Sequence, residues 1–238
     1  MGLFHCPLGA VYYEDDDCID CGLCVANTAE EKVAASKKIR EYMKSHAAPS
    51  SNVSKIAVCG KGGSGKTTTV TLLTFALKEA GYKPIVLDAD ESNPGLARML
   101  GISREPKAIA ELFTNPEDAE KTASGPLAGR DKFTMDDIPA EYVSGSDGIR
   151  FMVVGKIIDP FQGCGCGLAE AAREVVEKLA VKDGEVLVLD MEAGVESFGR
   201  GVERHADTIL IVVEPSLESI IVAERISQMA LGMGIGRV

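Results

Sequence analysis

Positive charge is in short supply in this chain. Its 238 residues carry 25 Lys and Arg against 36 Asp and Glu, a formal charge of −11 at pH 7. An acidic surface repels a polyanion, which excludes non-specific nucleic-acid binding as a role. Long apolar runs are also missing. Hydrophobic residues make up 45% of the chain, enough for a sizeable core, yet no run approaches the roughly 18 residues that span a bilayer. The N-terminus lacks the basic-then-apolar pattern of a signal peptide, so a cytoplasmic location is expected, with neither membrane nor nucleic acid as partner. Seven cysteines in a cytoplasmic chain point to metal or redox chemistry rather than to disulfides. The length allows one domain of about 180 residues and a small appendage.

Residues 60–67 read Gly-Lys-Gly-Gly-Ser-Gly-Lys-Thr and match the phosphate-binding loop G-x-x-x-x-G-K-[ST]. The glycines at 60, 62, 63 and 65 free the backbone to aim successive N–H groups at phosphate oxygens. Lys66 would neutralise the β- and γ-phosphates, and the Thr67 hydroxyl would hold Mg²⁺. The context agrees. Lys55–Cys59 is a short apolar strand, and Thr67–Ala80 suits a helix closed by Gly81. A loop between strand and helix sets the helix N-terminus under the phosphates.

Further strands are expected at Pro84–Asp88, Phe151–Val154, Glu185–Asp190 and Thr208–Val213, and helices at Leu168–Ala180 and Leu217–Leu231. This alternation implies an α/β fold: a mostly parallel, doubly wound sheet of the P-loop NTPase type, with ligands at the carboxyl ends of its strands. Residues 103–148 show no clear period and are expected to form a variable surface region. Glu30–Ser45 suits a charged helix, and Ala47–Asn52 is rich in breakers. The domains are therefore drawn as 1–48, a small N-terminal region with a helical linker, and 53–238, the domain that carries the phosphate-binding loop.

Two aspartate groups close strands beside the loop. Asp190 ends Val-Leu-Val-Leu-Asp, the Walker B arrangement that holds Mg²⁺ directly or through water. Asp88-Ala89-Asp90 closes the second strand. Asp88 fits either a supporting place near Mg²⁺ or the cap of the turn that follows.

Lys61 narrows the class, because an ordinary phosphate-binding loop has no lysine there. The chain resembles the deviant Walker A ATPases: the nitrogenase iron protein, septum-site and plasmid-partition ATPases, and metallocentre-maturation ATPases. The resemblance implies an ATP-dependent homodimer in which Lys61 reaches the partner subunit's nucleotide. It implies that Asp90 orients the attacking water and that the Gly194 N–H meets the γ-phosphate. The catalytic set is then Lys61, Lys66, Asp90 and Asp190. The nucleotide-binding set is Gly60, Lys61, Gly62, Gly63, Ser64, Gly65, Lys66, Thr67 and Thr68, with Asp88 and Gly194. The run Asp190-Met-Glu-Ala-Gly-Val-Glu196 is most similar to the CooC-type carbon monoxide dehydrogenase accessory ATPases.

The cysteines form two groups, with Cys59 apart. Cys18, Cys21 and Cys24 have the C-x₂-C-x₂-C spacing of a bacterial ferredoxin, but Thr28 stands where the fourth cysteine is missing. In two-cluster ferredoxins that fourth cysteine serves the other cluster. Cys6-Pro-Leu-Gly-Ala resembles the end of a preceding run, so Cys6 would complete one [4Fe–4S] site with Cys18, Cys21 and Cys24. A structural zinc site on the same four thiolates is the alternative. Asp15, Asp16 and Asp17 would make such a cluster harder to reduce.

Cys164 and Cys166 form a glycine-flanked C-x-C. Two thiolates are too few to close a site in one chain. A two-fold axis would bring four together, suited to Zn²⁺ or, with distortion, Ni²⁺. The CooC-type resemblance implies such an interface site.

The leading expectation is a Mg-ATP-dependent dimer that matures a nickel–iron–sulfur enzyme such as carbon monoxide dehydrogenase or acetyl-CoA synthase. The alternative is an ATP-gated iron–sulfur electron donor resembling the nitrogenase iron protein, with a redox donor as further partner. A positioning switch of the septum-site kind would need a membrane helix or a basic face, and neither is visible. The family would continue after residue 231 with another strand and an adenine-recognising asparagine, so the C-terminal end reads as shortened.

Overall fold

The computed structural model describes residues 22, 25–45, 53–113, 125–127, 129–156 and 166–238. The chain divides into two units, Met1–Asn52 and Val53–Val238.

In the first unit one helix, α1, runs over Ala29–Ser45. A capping box starts it. The Thr28 hydroxyl accepts the Glu31 N–H at 3.2 Å, and the Glu31 carboxylate accepts the N–H groups of Asn27 and Thr28 at 2.8 and 2.9 Å. These bonds hold the Glu31 carboxyl below its usual range. Thr28 thus caps a helix where a ferredoxin run would carry a cysteine. Cys6, Cys18, Cys21 and Cys24 lie outside the described residues.

The second unit is a six-stranded sheet: β1 (Lys55–Gly60), β2 (Lys83–Asp88), β3 (Ser144–Ser146), β4 (Ile149–Val153), β5 (Glu185–Asp190) and β6 (Thr208–Val212). The order is β3-β4-β2-β5-β1-β6, and only the β3–β4 pairing is antiparallel. The helices are α2 (Lys66–Glu79), α3 (Leu96–Met99), α4 (Cys166–Lys178), α5 (Glu196–Arg200) and α6 (Leu217–Gly232).

Alternation along the strands builds two core layers. Ile56 and Val58 of β1, Val86 of β2 and Val186 and Val188 of β5 face α2 and α3. Ala57, Cys59, Ile85, Leu87, Leu187 and Leu189 face the layer that contains α4, α5 and α6. Strands buried on both faces read as continuous apolar runs, which is why β1, β2, β4 and β5 were visible in the sequence; β6 is also an apolar run, although it is an edge strand with Leu210 exposed.

The expectation of a surface region at 103–148 is corrected. Ile109, Leu112, Phe113, Leu127, Phe133, Met135 and Ile138 are all buried in the larger layer. The rings of Phe113 and Phe133 pack 5.9 Å apart. Two short 3₁₀ turns deliver Ile109, Leu112 and Phe113, and Met135 and Ile138, while Leu127 and Phe133 come from the irregular chain between them; neither kind of segment imposes a period on the sequence. The segment also holds a hairpin. Asp147 (φ 51°) and Gly148 (φ 82°) form a two-residue turn between β3 and β4, the Asp-Gly pairing such turns favour.

No helix among the described residues is long and apolar enough to cross a membrane.

Candidate functional site

The loop 60–65 leaves β1 and enters α2 at the carboxyl edge of the sheet. Gly60 is obligatory. A Cβ there would sit 2.5 Å from the Val212 carbonyl oxygen and 2.9 Å from Ser64 Oγ. Gly65, at φ 95°, precedes α2, and no side chain caps that helix. The uncapped N–H groups and the positive end of the helix dipole favour an anion. Lys66 is buried, with Nζ 3.5 Å from the Lys61 carbonyl oxygen. Ser64 Oγ is buried without a hydrogen-bond partner among the described residues.

β2 and β5 are in register so that Asp88 lies beside Asp190. The Thr67 hydroxyl donates to Asp190 Oδ2 at 2.8 Å, and Asn93 Nδ2 donates to the Thr67 hydroxyl at 3.0 Å. Asp190 Oδ1 is buried and has no partner among the described residues. Burial pushes the Asp190 carboxyl up to about 6, against the Thr67 hydrogen bond, and the charge of Asp90 adds to the rise. An orphaned carboxylate oxygen beside a hydroxyl is the donor set that Mg²⁺ takes. The residues therefore fit the ion: Thr67 and Asp190 would hold it, and it would neutralise phosphate charge.

Asp88 spends Oδ1 on the Asp90 N–H at 3.2 Å and Oδ2 on Lys156 Nζ at 2.7 Å. It thus anchors the turn that follows β2. Burial pushes its carboxyl up to about 7 despite Lys156. Asp90 is buried and accepts the Ser92 N–H and hydroxyl at 3.0 and 2.6 Å. Gly194, at φ 90°, donates its N–H to the Gly60 carbonyl at 3.1 Å. A γ-phosphate contact from Gly194 requires that bond to open. Glu192 in the same segment pairs with Arg200 at 3.3 Å. Lys61 is paired with Glu214 at 2.8 Å, which raises the lysine and, with the Ser216 hydroxyl, lowers the glutamate.

The structure thus gathers Lys61, Lys66, Thr67, Asp88, Asp90, Asp190 and Gly194 at one edge. Sequence reasoning missed Lys156, Asn93 and Glu214. Lys156 carried one signal, its place three residues beyond β4 at the ligand-binding edge. Of the C-x-C pair, Cys166 opens α4, its side chain undescribed, and Cys164 lies outside the described residues. Cys59 is buried in the core, and burial pushes its thiol well up, as befits an inert packing residue. Among the described residues no three His, Cys, Asp or Glu side chains gather as a metal site.

A phosphate-binding loop, a bonded pair of Thr67 in the first turn of α2 and Asp190 at the end of β5, and a mostly parallel sheet define a P-loop nucleoside triphosphatase. Residues 52–236 match the ParA family of NUBPL iron-transfer P-loop NTPases, and the chain belongs to that family. It is an ATPase. An uncharacterized ATP-binding protein of Methanocaldococcus jannaschii is 36% identical over 186 residues, covering 76% of this chain and 74% of that protein. The carbon monoxide dehydrogenase accessory protein CooC of Rhodospirillum rubrum is 33% identical over 186 residues, covering 76% and 70%. The crystal structure of the Pyrococcus furiosus cell division ATPase MinD superposes with a TM-score of 0.54 at 18% identity, covering 78% of this chain and 70% of that one. That likeness concerns the fold alone.

Proposed function

We propose that this ATPase works as a Mg²⁺-dependent homodimer that matures a nickel–iron–sulfur enzyme, carbon monoxide dehydrogenase or acetyl-CoA synthase. The metal ion is its cargo, taken up and released with the nucleotide cycle. The observation that carries the reading is the position of Cys166. It is the first residue of α4, and α4 follows β4 at the same strand edge as the phosphate loop. The backbone there is tight: a Cβ on Gly155 would meet Leu168 Cδ2 at 2.6 Å. The identity with CooC supports the same reading.

In this account ATP closes the dimer, and Lys61 leaves Glu214 for the partner subunit's nucleotide. Cys164 and Cys166 from two copies then supply four thiolates to Ni²⁺ or Zn²⁺. Asp90 orients the water, and Thr67 and Asp190 hold Mg²⁺. Cys6, Cys18, Cys21 and Cys24 are assigned a [4Fe–4S] cluster on their spacing. That spacing also favours a second reading, an ATP-gated electron donor to a client metalloenzyme.

The test is Cys164→Ser in anaerobically purified protein. The proposal expects loss of nucleotide-dependent nickel or zinc with iron content unchanged. Loss of iron together with that metal would mean one cysteine site rather than two and would overturn the partition.

A further inference from the structure

Lys156 belongs to none of the motifs that mark the phosphate site, yet it is the best-connected cation there. Its side chain is 11% exposed. The ammonium has three N–H groups and three acceptors: Asp88 Oδ2 at 2.7 Å, the Asn93 carbonyl oxygen at 2.6 Å and the Asp90 carbonyl oxygen. All three belong to residues 88–93, the segment that leaves β2 and passes the phosphate loop. An ion pair with Asp88 alone would need one of these bonds. The other two fix the path of the main chain.

That path sets two side chains. Asp90 turns back on Ser92, and its own N–H caps Asp88 Oδ1. Asn93 holds Gly95 N–H through Oδ1 and reaches the Thr67 hydroxyl through Nδ2. Thr67 in turn donates to Asp190. A continuous set of hydrogen bonds therefore runs from Lys156 through Asn93 to the pair of residues that fit Mg²⁺. Without the ammonium, two carbonyls and a buried carboxylate would face one another with no donor between them, and the segment would have to refold locally.

We propose that Lys156 is a positioning residue for ATP hydrolysis: it touches neither nucleotide nor metal, and it holds residues 88–93 so that Asp90 and Asn93 stand in register with Thr67 and Asp190. The inference rests on the reading that residues 88–93 face the nucleotide and that Asp90 orients the water. Arginine is a poor substitute, because a planar fork cannot address three acceptors arranged around a point charge.

The experiment uses the full chain with Lys156→Gln, Lys156→Arg and, in parallel, Asp90→Asn. It measures kcat, KM, melting temperature and the affinity for a fluorescent ATP analogue with and without Mg²⁺. For Lys156→Gln the expected result is metal-free nucleotide affinity within about twofold of the parent, because the phosphate loop is untouched. The Mg²⁺-dependent gain in affinity should be lost, and kcat should fall on the order of tenfold to a hundredfold, as for misplaced catalytic groups. Lys156→Arg should fall between the parent and Lys156→Gln in both readouts. If the Gln variant does not fold, the Arg variant decides, since it keeps the charge beside Asp88. A kcat and a Mg²⁺ response within twofold of the parent, with only the melting temperature lowered, would reduce Lys156 to a structural ion pair. Unchanged kcat in Asp90→Asn would instead overturn the reading of the segment. A normal loss in Asp90→Asn with unaffected Lys156 variants would overturn the role of Lys156 alone.

Discussion

Asp190 meets solvent-free surroundings with one oxygen bound to Thr67 and the other bound to nothing described. Burying a carboxylate that way is costly unless a cation completes it. Lys66 stands nearby, buried at the first turn of α2. Lys66→Ala should abolish ATP hydrolysis, and steady-state turnover equal to the parent would remove the loop from the chemistry. Asp90→Asn should leave nucleotide affinity near normal while slowing kcat; equal loss of both would make Asp90 a binding residue. Glu203 is a different kind of buried acid. It is fully buried, accepts the Ser197 hydroxyl with Oε1, leaves Oε2 without a described partner, and is pushed by burial from 4.5 up to about 7. The folded protein therefore binds more protons than the unfolded chain between those values. The contribution of Glu203 to stability is fully present below about pH 4.5 and is lost as pH rises through about 7. Glu203→Gln should flatten that slope, and at pH 8 the difference should be on the order of 1–3 kcal/mol, read by thermal melts at a series of pH values.

At the scale of elements, the phosphate loop was legible because its chemistry is local. Eight consecutive residues carry the glycines, the lysine and the threonine, and β1 and α2 carry plain apolar patterns on either side. Asp190 was legible for the same reason, as the polar end of an apolar strand. Lys156 and Asn93 were not, because their partners lie 68 and 26 residues away and only the fold brings them together. The segment 103–148 failed differently. Its apolar residues enter the core a few at a time from 3₁₀ turns and the irregular chain between them, so neither a period of 2 nor of 3.6 appears, and the Asp147-Gly148 turn joins a strand of only three residues to β4. The close approach of β6 to the loop gives an element-level test. Gly60→Ala places a methyl group against the Val212 carbonyl, so either β6 or the loop must shift. Nucleotide affinity should fall at least tenfold, measured by titration with a fluorescent ATP analogue, and normal affinity would mean that the loop tolerates a different path.

For the whole molecule, the account turns on coupling between nucleotide and metal across two copies. Lys61 is held by Glu214 in the single chain and is assigned to the partner subunit's nucleotide in the dimer. Lys61→Ala should therefore keep ATP affinity and lose ATP-induced dimerisation, followed by light scattering; dimers that form normally would remove Lys61 from the interface. The measurement that tests the central claim most directly is elemental. The chain is purified without oxygen, and iron, sulfide, nickel and zinc are counted per chain with and without a non-hydrolysable ATP analogue. The account predicts about four iron and four sulfide per chain, as one [4Fe–4S] cluster requires. It also predicts about half an atom of nickel or zinc per chain, one shared by two copies, which changes when the analogue binds. Nickel and zinc that stay absent, or that do not respond to nucleotide, would contradict it.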